Sequence, residues 1–239
     1  MQGVATPTTA ASRPAGPPRG RRTTIALKIL MAGTGAIFVG YVLLHMYGNL
    51  MAFGGRDTYD TYAHHLRTFG EPMLPYGGLL WVIRLVLLLS LVGHAYAAFT
   101  LWNRAQKART TRYAVRKAVS SSLSSKWMRW GGVALLAFVI FHILQFTTRT
   151  VTPGGDDESP FVRLSNGFSL WWVFGIYLIA MVALAMHLHH GIWSAAQTLG
   201  WTSSALSRRI AKLTGLGVAA VVAGGFILPP LFILLGIIN

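Results

Sequence analysis

Residues 186–201 read MHLHHGIWSAAQTLGW, three histidines within four positions at the end of a long apolar run. Ionisable side chains are costly in hydrocarbon and rare there, so a histidine inside an apolar run is a candidate for function. Four such runs carry one: His45, His94, His142, and the cluster His187, His189 and His190. A fifth run carries none. With a helical rise of about 1.5 Å per residue, His45 and His142 lie roughly 8 and 9 Å below the same face of a helical bundle. On the same count His94 and His187 lie roughly 22 and 26 Å below it. The histidines thus sort into two pairs at two levels, about 15 Å apart.

Two imidazoles from facing helices at one level can hold an iron porphyrin between them. The macrocycle suits an apolar bundle, and its propionates can reach a polar rim. Filling both axial positions leaves none open for oxygen and favours electron transfer. Two other readings stay open on the residues alone. Histidines can bond backbone carbonyls across helices, and they can form a transporter's proton relay. Relays recruit Asp or Glu, and the apolar runs contain neither.

The elements that must position these rings follow from composition. The chain has 239 residues, 53% hydrophobic and 11% charged, against about 25% charged in soluble domains. Five runs, 25–51, 79–102, 130–148, 168–193 and 213–238, reach the roughly 20 residues needed to cross a bilayer as helices. The expected fold is therefore all-α, a five-helix transmembrane bundle over 25–239 behind a disordered basic tail, 1–24. Pro229 and Pro230 should bend the fifth span. The segment 59–69, YDTYAHHLRTF, reads as a surface helix. The net charge of +15 would suggest nucleic acid in a soluble protein, but its distribution argues for a membrane surface and no nucleic-acid partner. All six acidic residues fall between spans one and two or three and four, and the basic residues gather in the tail, in 104–129 and between spans four and five. Lys and Arg mark the cytoplasmic side, so the N-terminus should be cytoplasmic and the C-terminus outside. The chain has no cysteine, so it holds no thiolate-ligated cluster of its own.

Three strings carry a family resemblance: HMYGNLMAFGGRDTYDTYAHHLR at 45–67, SSSLSSKWMRWGGVALLAFVIFHILQFT at 120–147, and the opening string. With histidines on the first four of five spans, the chain resembles the cytochrome b membrane anchor of succinate dehydrogenase and fumarate reductase, in its single-polypeptide, dihaem form. The resemblance implies two b-type haems, with His45 and His142 on the outer iron and His94 and His187 on the inner one. His187 is preferred over its neighbours because the family ligand is followed by glycine at four and about thirteen residues, here Gly191 and Gly200. His190 would then serve a propionate or a quinone. The implied role is to carry electrons from an iron–sulfur subunit to a quinone, menaquinone by expectation, in a bacterial cytoplasmic membrane. Succinate oxidation, FAD and iron–sulfur clusters would belong to partner subunits, and a higher oligomer of the complex is compatible with this role. Some relatives place a glutamate two residues before the fourth-span ligand; here that position is Ala185, which argues against a compensating proton path. The rival readings are the cytochrome b subunit of a hydrogenase or formate dehydrogenase, and a haem-free anchor or transporter.

Secondary candidates follow from position. Arg84, the one full charge deep in a span, sits at the level of His45 and His142 and could meet a propionate or snorkel to the headgroups. His64 and His65 could form part of a lid over that level. Lys126, Trp127 and Arg129 sit where inner propionates and a cytoplasmic-side quinone could bind, within a basic run that could also dock the iron–sulfur subunit.

Overall fold

The computed structural model describes the backbone over residues 19–108 and 121–238, and side chains over 24–108 and 127–238. Residues 1–18 of the expected tail, 109–120 of the basic run and the Lys126 side chain lie outside the described residues.

Among the described residues, seven helices follow in order: α1 (Arg19–Leu50), α2 (Gly55–Thr68), α3 (Gly78–Lys107), α4 (Ser121–Phe146), α5 (Pro160–Phe168), α6 (Trp171–Thr198) and α7 (Ala205–Leu234). A short 3-10 turn, Met51–Gly54, joins α1 to α2. No strand occurs among the described residues. Helices α1, α3, α4, α6 and α7 are long and apolar enough to cross a membrane. Their apolar side chains are not gathered inward: Leu44 is 71% exposed and Ile179 is 70% exposed. Such a surface would aggregate in water and is at home in hydrocarbon, where helices need not hide an apolar face.

Packing is uneven in a way that matters for the histidines. α6 lies closely along α7, and α1 packs on α3, α6 and α7, while α4 packs on α6. Among the described residues, α1 and α4 make no comparable contact, nor do α3 and α6. One end of the bundle is capped by α2 and α5. Asp60 of α2 joins them by accepting from the Phe161 amide at 2.9 Å and from the Ser159 hydroxyl. Ser159 caps α5 by accepting from the Val162 amide, with Pro160 in the first turn. Both devices satisfy donors that a helix start leaves open. α5 then buries Phe161, Leu164 and Phe168 against Val173 and Tyr177 of α6.

The surface helix expected around 59–69 is present as α2. α5 was not anticipated. Its nine residues are too few to show a period, and what fixes it is burial of three apolar residues against α6. The expected bend at Pro229 and Pro230 does not interrupt α7, which stays helical through both prolines with their rings buried.

Small residues set the closest approaches, as is usual where helices meet in lipid. A Cβ on Gly215 of α7 would stand 2.8 Å from the His189 carbonyl of α6, and one on Gly225 would collide with the Met46 side chain of α1. At Gly215 the obstacle is backbone and cannot swing away. Gly215→Leu is therefore expected to force α7 off α6 and to cost about 1–3 kcal/mol, the range for overpacked interiors. Thermal denaturation of the detergent-solubilised protein would read this as a lower midpoint. An unchanged midpoint would show that the two helices do not depend on that contact.

Candidate functional site: two facing histidine pairs

Two histidine pairs form inside the bundle. His45 of α1 and His142 of α4 face each other with ring centres 5.7 Å apart and planes at 78°. His94 of α3 and His187 of α6 face each other at 6.2 Å and 54°. Among the described residues, each pair spans helices that pack on each other less than their neighbours do. The backbones stand back while the rings reach across.

The pair nearer the capped end sits among aromatic rings. Tyr41 stacks on His45 at 5.3 Å and 10°, and Phe226 of α7 closes another side at 5.6 Å. Phe138, Phe146 and Tyr177 surround His142. The Tyr177 hydroxyl lies 3.0 Å from Nδ1 of His142 and donates to Oε1 of Gln145 at 2.9 Å. At the other level, Phe38 meets His94 edge-on at 5.8 Å, and the Thr34 hydroxyl lies 2.9 Å from Nδ1 of His94. Glycines flank these rings. A Cβ on Gly35 would lie 3.8 Å from the His94 ring, and one on Gly132 would lie 3.6 Å from the His187 ring. Nδ1 of His187 is buried and has no hydrogen-bond partner.

These features fit an axially ligated haem. Two imidazoles that shared one haem iron, each through a nitrogen, would stand with their ring centres roughly 6 Å apart. Both pairs have that spacing. A bare ion would want a larger donor set, and among the described residues no three His, Asp or Glu side chains converge to hold one.

The other candidates fall at varying distances from the pairs. His189 is exposed, its carbonyl facing Gly215, and His190 is half-buried. Arg84 is exposed, with its guanidinium 4.9 Å from the Trp81 ring centre. Arg129 lies over Trp102 at 5.7 Å, and Trp102 meets Trp130 edge-on, so this cation is engaged where α3 and α4 come together. Trp127 is exposed. His64 and His65 are exposed and turn to Tyr76 and Phe69. α2 instead reaches the histidine layer through Tyr59, which packs on Phe161 and through it on Tyr177.

Sequence reading missed Thr34 and Tyr177, whose hydroxyls meet the rings, and Gln145, which meets the Tyr177 hydroxyl. A signal existed for Gln145, the one amide in its span, three residues after His142. Nothing local marks Thr34, which is 60 positions from the ring it meets.

The loop from α4 to α5 is held by charge. Arg149, in the left-handed region at φ 57, donates through Nε and Nη2 to Asp156 at 2.8 and 2.6 Å. The hydrogen bond from Arg149 holds the Asp156 carboxyl below its ordinary range. A depressed carboxyl stabilises the fold above its ordinary pKa, and the contribution disappears as pH falls through the folded value. Both groups face solvent, so the effect is small and salt-sensitive.

No family model matches the chain, and no solved structure matches it. One curated protein does: the succinate dehydrogenase cytochrome b558 subunit of Bacillus subtilis (strain 168), 28% identical over 185 residues, covering 74% of this chain and 80% of that protein. The resemblance carried by the local strings therefore has a counterpart along most of the chain, and the protein is a relative of a succinate dehydrogenase cytochrome b subunit.

Proposed function

We propose that the chain is the membrane-anchor cytochrome b subunit of a succinate:quinone oxidoreductase, with two b-type haems. The observation that carries this reading is the two facing histidine pairs, His45 with His142 and His94 with His187. His45 with His142, and His94 with His187, would supply the axial ligands. Haem held there would supply a one-electron ferric/ferrous couple, and two histidine ligands would leave it no open position for oxygen. The chain's own residues do the rest. The aromatic cage of Tyr41, Phe138, Phe146 and Phe226 excludes water around one pair, and glycines leave room around the other.

Direction follows from charge. Lys28, Arg104, Lys107, Arg208, Arg209 and Lys212 gather at the uncapped end, and the six acidic residues lie in the segments that form or join the cap. Lys and Arg bias makes the uncapped end cytoplasmic, and the His94–His187 level is nearer to it. The iron–sulfur and flavoprotein subunits would dock there. Menaquinone as acceptor, and a bacterial cytoplasmic membrane as location, complete the reading.

The test is purification with partners. The isolated complex should contain a flavoprotein and an iron–sulfur subunit, oxidise succinate, and show two b-type haems per chain in a reduced-minus-oxidised spectrum. Absence of haem would reject the cytochrome reading. Co-purification with a hydrogenase or formate dehydrogenase would reject the succinate assignment while leaving the haems in place.

A further inference from the structure

Two hydroxyl groups touch the histidine pairs, and the proton of each is already engaged elsewhere. Tyr177 donates to Oε1 of Gln145 at 2.9 Å while standing 3.0 Å from Nδ1 of His142. Thr34 donates to the Leu30 carbonyl at 2.7 Å while standing 2.9 Å from Nδ1 of His94. A hydroxyl has one proton to give and lone pairs with which to accept. With the hydroxyl protons so placed, the bridging proton in both contacts comes from the ring. Nδ1 then carries the hydrogen, and Nε2 keeps its lone pair.

We infer that Gln145, acting through Tyr177, and Thr34, acting directly, are positioning residues that hold His142 and His94 in the one neutral tautomer whose Nε2 can take an axial iron. The inference rests on the haem reading above and adds residues to it. It concerns where a ring proton sits, not whether the ring is charged. The three side chains are built into the interior: Gln145 is 4% exposed, Thr34 7% and Tyr177 9%. The Gln145 amide has its place because α5 offers Gly167 there, where a Cβ would come within 3.0 Å of Nε2. Hence the cap helix contributes to the setting of a ring it does not touch. Each pair has one histidine so held, on α4 at one level and on α3 at the other.

The proton count makes an unusual prediction: removing the more distant residue should harm the site more than removing the nearer one. Tyr177→Phe takes an acceptor from His142 but adds no competing donor. The haem of that level should remain, with its reduction potential raised, because an acceptor on Nδ1–H makes the ligand more basic. Gln145→Leu instead releases the tyrosine proton. Tyr177 can then donate to Nδ1, which sends the ring proton to Nε2, where it competes with iron. Affinity for that haem should fall about ten- to a hundredfold, the range for outer-shell changes at metal-bound histidine. The double variant, with no hydroxyl left to misdirect, should return to the behaviour of Tyr177→Phe. At the other level Thr34→Ser should match the parent, and Thr34→Val should raise the potential of that haem alone.

The experiment measures haem content by pyridine haemochrome and midpoint potentials by redox titration, on the intact complex. The haem of the His94–His187 level serves as internal reference for the Tyr177 and Gln145 variants. Loss of one haem in Gln145→Leu, retention in Tyr177→Phe and recovery in the double variant support the inference. Equal haem content in the two single variants, or a double variant as poor as Gln145→Leu, overturns it and leaves the haem reading intact. Should Gln145→Leu lose both haems, Gln145→Glu decides: a carboxylate can still accept from Tyr177, so retained haem supports the inference and lost haem overturns it. A parent complex with no haem overturns the inference together with the haem reading.

Discussion

Replacing His187 by alanine is expected to leave a chain with one haem, that of the His45–His142 level, and to halve haem content per chain. His189→Ala should keep both. The three histidines of the 187–190 cluster share a helix but not an environment. The His187 ring faces His94 at 6.2 Å, with Gly132 of α4 beside it. His189 is exposed on the side of α6 whose backbone meets α7 at Gly215. His190 is half-buried one turn-fraction further along, and His190→Ala should move the potential of the nearer haem without removing it. Under the proposed ligation, the change would remove one of the two imidazoles at that level, which is why the effect should be near complete there. Haem content and the spectrum of the remaining species would be measured on membranes and on the purified complex. Retention of both haems in His187→Ala, with loss in His190→Ala, would transfer the ligand role to His190.

The second large effect is expected on turnover. Succinate-driven menaquinone reduction by the complex should slow when the membrane potential is collapsed. Electrons enter at the cytoplasmic end under the proposed orientation, and menaquinone is expected to be reduced at the capped, outer end. An electron moving outward is driven by a potential negative inside, by about 2.3 kcal/mol per 100 mV. That corresponds to more than a tenfold change in an equilibrium constant for each electron. A compensating inward-to-outward proton path would cancel the charge. The chain offers no carboxylate for one: position 185 is alanine, and all six acidic residues lie outside the five candidate spans as read from sequence. The measurement is succinate:menaquinone activity in sealed vesicles of known orientation, with and without a protonophore. An unchanged rate, with coupling shown separately by the collapse of the potential itself, would reject charge movement and leave the haem assignment standing.

What the sequence by itself determined is what one-dimensional counting can reach. Span number follows from the length of apolar runs, because hydrocarbon thickness converts directly into residues per helix. The levels of His45, His94, His142 and His187 follow from a constant rise per residue, and the surface helix α2 from the spacing of its apolar side chains. Tertiary structure decided what counting cannot. α5 exists because Phe161, Leu164 and Phe168 find Val173 and Tyr177, a contact with no signature in nine residues. The unbroken helical course of α7 through Pro229 and Pro230 goes with neighbours that bury those rings. His64 and His65, next to a histidine-bearing span in sequence, turn away from the pairs because α2 presents Tyr59 inward instead. His94 meets a hydroxyl 60 residues earlier in the chain, and His142 meets one 35 residues later. A hydrogen bond depends on distance and direction in space, to within a few tenths of an ångström. Residue spacing along the chain carries that information within a helix and loses it between helices.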